Sequence, residues 1–440
     1  MLPEIQTAVC RQNDDMESRA RAGATLVRPW LRPLHDCGPM NSTTTTQPRA
    51  KSKSELIERV ETLVAYDNPR PHVHSRHGYH AGLARLSSGD LLALFVLAEA
   101  FEAPNATTYV ARSRDQGRAW ELQGPLYDKS ALGFETSDTL KPAVLRDGTM
   151  VATGYRFHRA DPEEGIAIPA TAGFQPGDNI VSFSHDAGCT WTFPEVIKRS
   201  YPELLELSGP CLETASGDLV SSAGFYNLPD GSNPSGKFCA LLRSRDRGKT
   251  WDDRTLIVAP GAIIPWETRI CEMQPGRLVV IIWAYDVYNR RHLANQVIVS
   301  HDNGYTWSPL IDTGHMAQSS NVLFLGGEYL LSIHAHRAAD PGIYVRLVDF
   351  SNDTWKVVDE LAIWGRSMGP QTSEGQSMAE MFVSIRFGQP ALLHLGGGEF
   401  LASHWSIEDG QGKIRLHRLS IDTSKLGLAF DGAASGGREK

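Results

Sequence analysis

The chain has 440 residues, 41% of them hydrophobic, with 40 Gly, 25 Pro and a formal net charge of −8. This acidic balance speaks against nucleic acid as a main partner, and the Gly and Pro content suits many short strands and turns rather than long helices. No stretch approaches the roughly 20 apolar residues of a membrane span, and six scattered cysteines without a Cys-x-x-Cys pair indicate neither a disulfide framework nor a zinc site.

In chain order, residues 1–50 mix Arg, Asp, Ser, Thr and Pro without periodicity and contain the run Asn41-Ser42-Thr43-Thr44-Thr45-Thr46. A disordered N-terminal extension is expected there, with Met40 as an alternative start. No basic segment precedes an apolar core near the N-terminus, so the expected location is cytoplasmic. Residues 51–66 read as a short helix and a strand. Ile57, Val60 and Leu63 recur at helical spacing behind Ser54 as an N-cap, and Leu63-Val64-Ala65-Tyr66 has the composition of an edge strand.

Residues 67–425 carry two superimposed repeats. The first is strand, short turn, strand, at Leu83–Leu92, Pro142–Val151, Cys211–Val220, Ile270–Val279, Asn321–Leu330 and Leu392–Leu401, six copies in all. Each copy predicts a hairpin. The second is Ser-x-Asp-x-Gly-x-x-Trp, at Ser113–Trp120, Ser184–Trp191, Ser244–Trp251 and Ser300–Trp307, with steps of 71, 60 and 56 residues, long enough for one antiparallel sheet each. The Asp carboxylate accepts turn N–H groups, the Gly supplies a positive φ and the Trp packs beneath, so each copy predicts a stapled turn. Ser351-Asn352-Asp353-Thr354-Trp355 reads as a degenerate fifth copy without its Gly. Residues 426–440 read as a flexible tail.

The four boxes on six hairpins resemble the Asp-box (BNR) repeats of the sialidase (neuraminidase) superfamily. That resemblance implies an all-β fold, a six-bladed β-propeller of four-stranded antiparallel blades, with the N-terminal strand joining the last blade to close the ring. Sialidases resemble one another in three Arg that hold the sugar carboxylate, a Tyr nucleophile polarised by a Glu, and an Asp acid/base. Carried onto this chain, Glu267 resembles the polarising Glu, and Glu102 stands at the acid/base position. The first Arg aligns with Tyr79, the second with Trp283, and the Tyr nucleophile with Gln389, so the carboxylate clamp of a strict sialidase is not reproduced at these positions, with Arg76, Arg269 or Arg337 as the alternatives where the alignment shifts by a residue or two.

In a propeller the first strand of each blade starts at the central depression, so ligand-binding residues are expected at those starts and at the far ends of the second strands. The candidates are Glu102, Glu267, His80 and Tyr155 for catalysis, and Arg76, Tyr79, Arg156, Arg269, Trp283, Tyr285, His334, Arg337 and Gln389 for substrate binding. Aromatic faces for sugar rings, cations for a carboxylate and a carboxylate pair for the glycosidic bond suit a carbohydrate. Each such residue taken singly is more often packed or solvated than functional. The run His72 to His80 holds four His but lacks zinc-ligand spacing, so no metal or other cofactor is expected.

Three readings follow. One is an exo-acting glycoside hydrolase on acidic glycans, with Glu102 and Glu267 as the carboxylate pair. The second is a lyase or hydrolase on uronate-containing glycans, in which His80 or Tyr155 moves the proton while Arg156 or Arg269 neutralises the carboxylate. The third is a propeller that binds glycan or protein without catalysis. The expected partner is an oligosaccharide.

Overall fold

The computed structural model describes residues 54–365, 368–372, 376 and 378–428. The extension expected over residues 1–50 and most of the expected tail lie outside these. Six antiparallel sheets follow one another along the chain. Blade one is His77–Arg85, Leu91–Ala98, Thr107–Ser113 and Glu121–Pro125, and blade two is Thr136–Val144, Met150–His158, Gly177–Ser184 and Glu195–Ile197. Blade three has its first strand in two pieces, Leu204–Glu206 and Leu212–Glu213, followed by Leu219–Tyr226, Cys239–Ser244 and Asp252–Val258. Pro210, which has no N–H to give a ladder, lies in the interruption. Blade four is Ile263–Gln274, Arg277–Asp286, Ala294–Ser300 and Ile311–Met316, and blade five is Ser320–Gly326, Tyr329–His336, Gly342–Asp349 and Lys356–Trp364. Blade six takes Phe387–Gly396, Glu399–Glu408 and Gln411–Ile421, and its outermost strand is Ile57–Tyr66 from the other end of the described chain.

Second strands are packed on both faces by neighbouring blades, which is why they read as continuous apolar runs: Leu91–Ala98, sequence LLALFVLA, is buried at every position. Outermost strands meet water, and Glu121–Pro125 has no buried residue.

The helix expected from Ser54 is not there. Ser54 Oγ does accept the Ile57 N–H, at 2.7 Å, as an N-cap would, but the chain then enters a strand whose Ile57 pairs with Ile421 and Tyr66 with Ile414. Helical spacing would put Ile57 and Val60 on one face, yet Ile57 is 3% exposed and Val60 53%. A ten-residue helix alone is marginal in water, whereas the strand finds a ready edge on blade six, so pairing wins. At the other end of the described chain, Leu426 and Leu428 pack against the core shared by blades five and six.

All four Asp-boxes lie between the third and fourth strands of blades one to four. In the third, Ser244 Oγ accepts the Gly248 N–H at 2.7 Å, Asp246 Oδ1 accepts the Thr250 N–H at 2.9 Å, and Trp251 Nε1 donates to the Gly248 carbonyl at 3.0 Å. The residue before each Gly also takes a positive φ, 59° at Gln116, 58° at Ala187, 62° at Arg247 and 61° at Asn303. The shortened fifth copy works differently. Its Asp353 carboxylate bonds Arg277 and His301 of blade four and so ties two blades together. Among the described residues no helix is long and apolar enough to cross a membrane.

Candidate functional site

Three first strands carry a bulge at matching positions: between Tyr79 and Gly82 in blade one, Trp266 and Arg269 in blade four, and Gly388 and Ala391 in blade six. Each bulge holds one non-Gly residue at positive φ, His80 at 56°, Glu267 at 43° and Gln389 at 41°. A bulge adds a residue and re-aims its side chain, and left-handed backbone at such residues costs on the order of 1–3 kcal/mol apiece. All three side chains line one cavity on the axis.

The cavity gives the centres of water molecules about 80 Å³ of room. Its walls are aromatic: Phe101, Tyr155, Phe174, Tyr226, Trp266, Trp283 and Trp405. A short helix, α1 (Met378–Ser384), roofs it with Met381 and Phe382, and Ile385 follows. The polar groups inside are His80, Glu206, Glu267, Arg337 and Gln389.

Gln389, Glu267 and Glu206 form a connected set. Glu267 Oε1 accepts from Gln389 Nε2 at 2.8 Å, while Glu267 Oε2 is buried with no partner. Glu206 Oε2 accepts the Glu267 backbone N–H at 2.7 Å, and Glu206 Oε1 accepts from Ser208 Oγ at 2.7 Å. Burial, and then the charge of Glu267, push the Glu206 carboxyl up to about 7. The Tyr226 hydroxyl donates to that of Tyr155 at 2.9 Å. Burial pushes both phenols up, with the Glu206 carboxylate adding to it. His80 is held neutral, its pKa driven well down by burial and then by Lys141, Arg337 and Arg269, and its Nδ1 has no partner. Burial lowers the Arg337 guanidinium to about 10, so it keeps its charge at neutral pH, 6.0 Å over the Trp283 ring.

Of the residues expected from sequence, His80, Tyr155, Glu267, Trp283, Arg337 and Gln389 meet in this cavity. Others stand apart. Arg76 is exposed on a peripheral groove, 5.7 Å over the Tyr109 ring. Tyr79 is buried edge-on against Phe101 and Trp405, facing an outer cleft. Glu102 lies in that outer cleft, beyond Phe101, with Oε1 accepting the Ala167 N–H at 3.0 Å, so it does not share a cavity with Glu267. Alternation along the second strand of blade two turns Arg156 away from Tyr155 and onto Asp178 at 3.0 Å. Arg269 points behind the cavity, to Ser208 Oγ at 2.8 Å. Tyr285 packs behind the wall on Trp266 and His292, and His334 is sealed inside blade five on Ser320, Ser332 and Asn295.

Glu206 and Tyr226 sit at a first-strand start and a second-strand end, where ligand groups were expected, but nothing in their local sequence separates them from packed residues. The roof has a signal of its own: Met381, Phe382 and Ile385 recur at helical spacing just before blade six.

The BNR/Asp-box repeat family model matches residues 298–309, the fourth box. No protein of curated function matches the chain by sequence. Among solved structures, a protein of unknown function from Dyadobacter fermentans is 19% identical with a TM-score of 0.65, over 83% of this chain and 100% of its own. The Hadza microbial sialidase Hz136 is 19% identical with a TM-score of 0.57, over 80% of this chain and 67% of that one. The NanB sialidase of Streptococcus pneumoniae is 12% identical with a TM-score of 0.56, over 82% and 70%. The chain is an Asp-box, six-bladed β-propeller of sialidase-like fold.

Proposed function

We propose that the protein is an exo-acting glycoside hydrolase that removes one acidic sugar from the end of a glycan. The observation that carries this is the placing of two carboxylates, Glu206 and Glu267, in one aromatic cavity beside the buried cation Arg337. Glu206, pushed up to about 7, holds its proton in about half the molecules at neutral pH and serves as general acid to the leaving oxygen. Glu267, with Oε1 fixed by Gln389 and Oε2 unpartnered, faces the other side of the bond as base or nucleophile. Arg337 receives the sugar carboxylate, and the Trp and Tyr walls take the ring faces. Glu206 thus fills the role expected of Glu102. The sialidases of the same fold support an acidic terminal sugar, while the missing Arg clamp argues for one other than the usual sialoside.

The unpartnered, neutral imidazole of His80 favours a second reading, elimination from a uronate with His80 as base and Arg337 on the carboxylate. The test is a screen of a sialoside and several uronate-ended oligosaccharides. Hydrolysis yields a saturated sugar, elimination an unsaturated uronate that absorbs in the ultraviolet. For the first reading Glu206→Gln and Glu267→Gln each lose on the order of 10²–10⁴ in rate. Full activity in both variants refutes it.

A further inference from the structure

Behind the cavity, the same first strands run on along the axis and enclose a second chamber of about 310 Å³. Two buried cations stand in it, Lys141 from blade two and Arg269 from blade four, 3% and 4% exposed. Ser208 lies beside them, and past it the walls are apolar: Leu83, Leu212, Leu323 and Phe324.

Neither cation touches a carboxylate directly, although Ser208 Oγ links Arg269 to Glu206 Oε1 and the charge of Glu267 acts on Lys141. Among the described residues no carboxylate lies within 4.0 Å of the charged nitrogens of either. Lys141 Nζ donates to the His80 carbonyl. Arg269, which lines the chamber, uses Nη1 on Ser208 Oγ at 2.8 Å and on the Thr268 carbonyl at 2.9 Å. The one chamber carboxylate, Glu272, is turned aside, with Oε2 on the Ala215 N–H at 2.7 Å and Oε1 on the Gly276 N–H at 3.0 Å. The nearby Glu267 is held by Gln389 on the cavity side. Burying two like charges with no carboxylate in direct contact is costly, and a bound anion lowers that cost. Apolar walls on the rest of the chamber repel a small hydrated ion and accept a hydrocarbon.

We propose that this chamber is a second binding site, for an amphipathic monocarboxylate whose carboxylate seats between Lys141 and Arg269 and whose hydrocarbon body lies along Leu83, Leu212, Leu323 and Phe324. Burial, and then the charge of Arg269, lower the Lys141 ammonium from its ordinary range against the opposing charge of Glu267, and a carboxylate seated beside it would oppose that lowering. From Arg269 to Glu272 the strand advances about 10 Å at about 3.3 Å per residue, which octanoate matches as a probe.

The test is titration calorimetry on the full chain with octanoate, octanol and inorganic phosphate. Octanoate binds once per chain, and octanol and phosphate each bind at least tenfold more weakly. Arg269→Gln weakens octanoate at least tenfold by removing half of the anion seat. Phe324→Glu, at a half-buried wall position, does the same by placing a like charge in the hydrocarbon path, and it leaves the cations in place should Arg269→Gln not fold. The proposal is overturned if octanoate does not bind, if octanol or phosphate binds as tightly, or if a folded variant of either kind keeps the wild-type affinity.

Discussion

Replacing Glu206 by Gln should make the protein more stable, and more so as the pH rises. The carboxyl is raised from 4.5 to about 7 in the folded chain, chiefly by burial and next by Glu267. At about 1.36 kcal/mol per pH unit, holding it ionised in the fold costs about 3 kcal/mol. The folded chain binds this proton more tightly than the unfolded chain. The cost is therefore absent below pH 4.5, grows between 4.5 and 7, and is complete above 7. A Gln side chain keeps the hydrogen bonds, since its oxygen takes the Glu267 N–H and Ser208 Oγ turns to accept from its amide, so removal of the charge is the main change. Denaturant unfolding at pH 4.5 and pH 8 tests this. The gain of the variant over wild type is expected near zero at the lower pH and up to about 3 kcal/mol at the higher, with activity lost on the screened substrate. A gain that does not change with pH, or a loss at pH 8, refutes the account of a carboxyl held against its environment.

Three further outcomes concern the scaffold. Asp186, Asp246 and Asp302 are held down to about 2, the first two chiefly by the box Thr hydroxyl and N–H, the third by the same groups against the cost of its partial burial. Their contribution is whole above about pH 4 and is lost as the pH falls through 2; acid unfolding of Thr250→Val should begin at higher pH than wild type. Gly248→Ala puts a Cβ 2.5 Å from the Phe183 ring at φ 86°, and should cost about 1–3 kcal/mol more than Gly217→Ala, where φ is 92° but nothing lies within 4 Å. Ile57→Ala, which opens the ring-closing seam, should cost about 2–4 kcal/mol in thermal unfolding, and Val60→Ala within about 0.5 kcal/mol; equal effects would return the segment to the helical reading.

What was legible in the sequence follows from where each interaction lives. An Asp-box is closed within eight residues, every donor and acceptor being local, so the pattern Ser244-x-Asp246-x-Gly248-x-x-Trp251 announces its own geometry. The cavity is the opposite case. Glu206 and Glu267 belong to different blades, and the rise in the Glu206 carboxyl comes from burial and from a charge 61 positions away in the chain. Neither cause leaves a mark in the residues around Glu206. The Ser54 segment misled for a related reason, because its N-cap hydrogen bond is real while the choice of strand over helix is made by the free edge of blade six.

The bulges decide which rim residues face the axis. A bulge inserts one residue into the first strand, so the side chain that reaches the axis is one place away from where an unbroken alternation would put it. Counting along the strand selected Tyr79, which is turned outward onto Phe101 and Trp405, while the neighbouring His80, at φ 56°, enters the cavity. In blade four the same device carries Glu267 inward and sends Arg269, two residues on, into the chamber behind. In blade four one backbone irregularity thus sorts adjacent polar residues between two compartments. Strain of this kind persists only where the surrounding structure fixes it. Its occurrence three times around a single cavity, at residues with no glycine to ease it, marks these positions as selected for where their side chains point rather than for the stability of their strands.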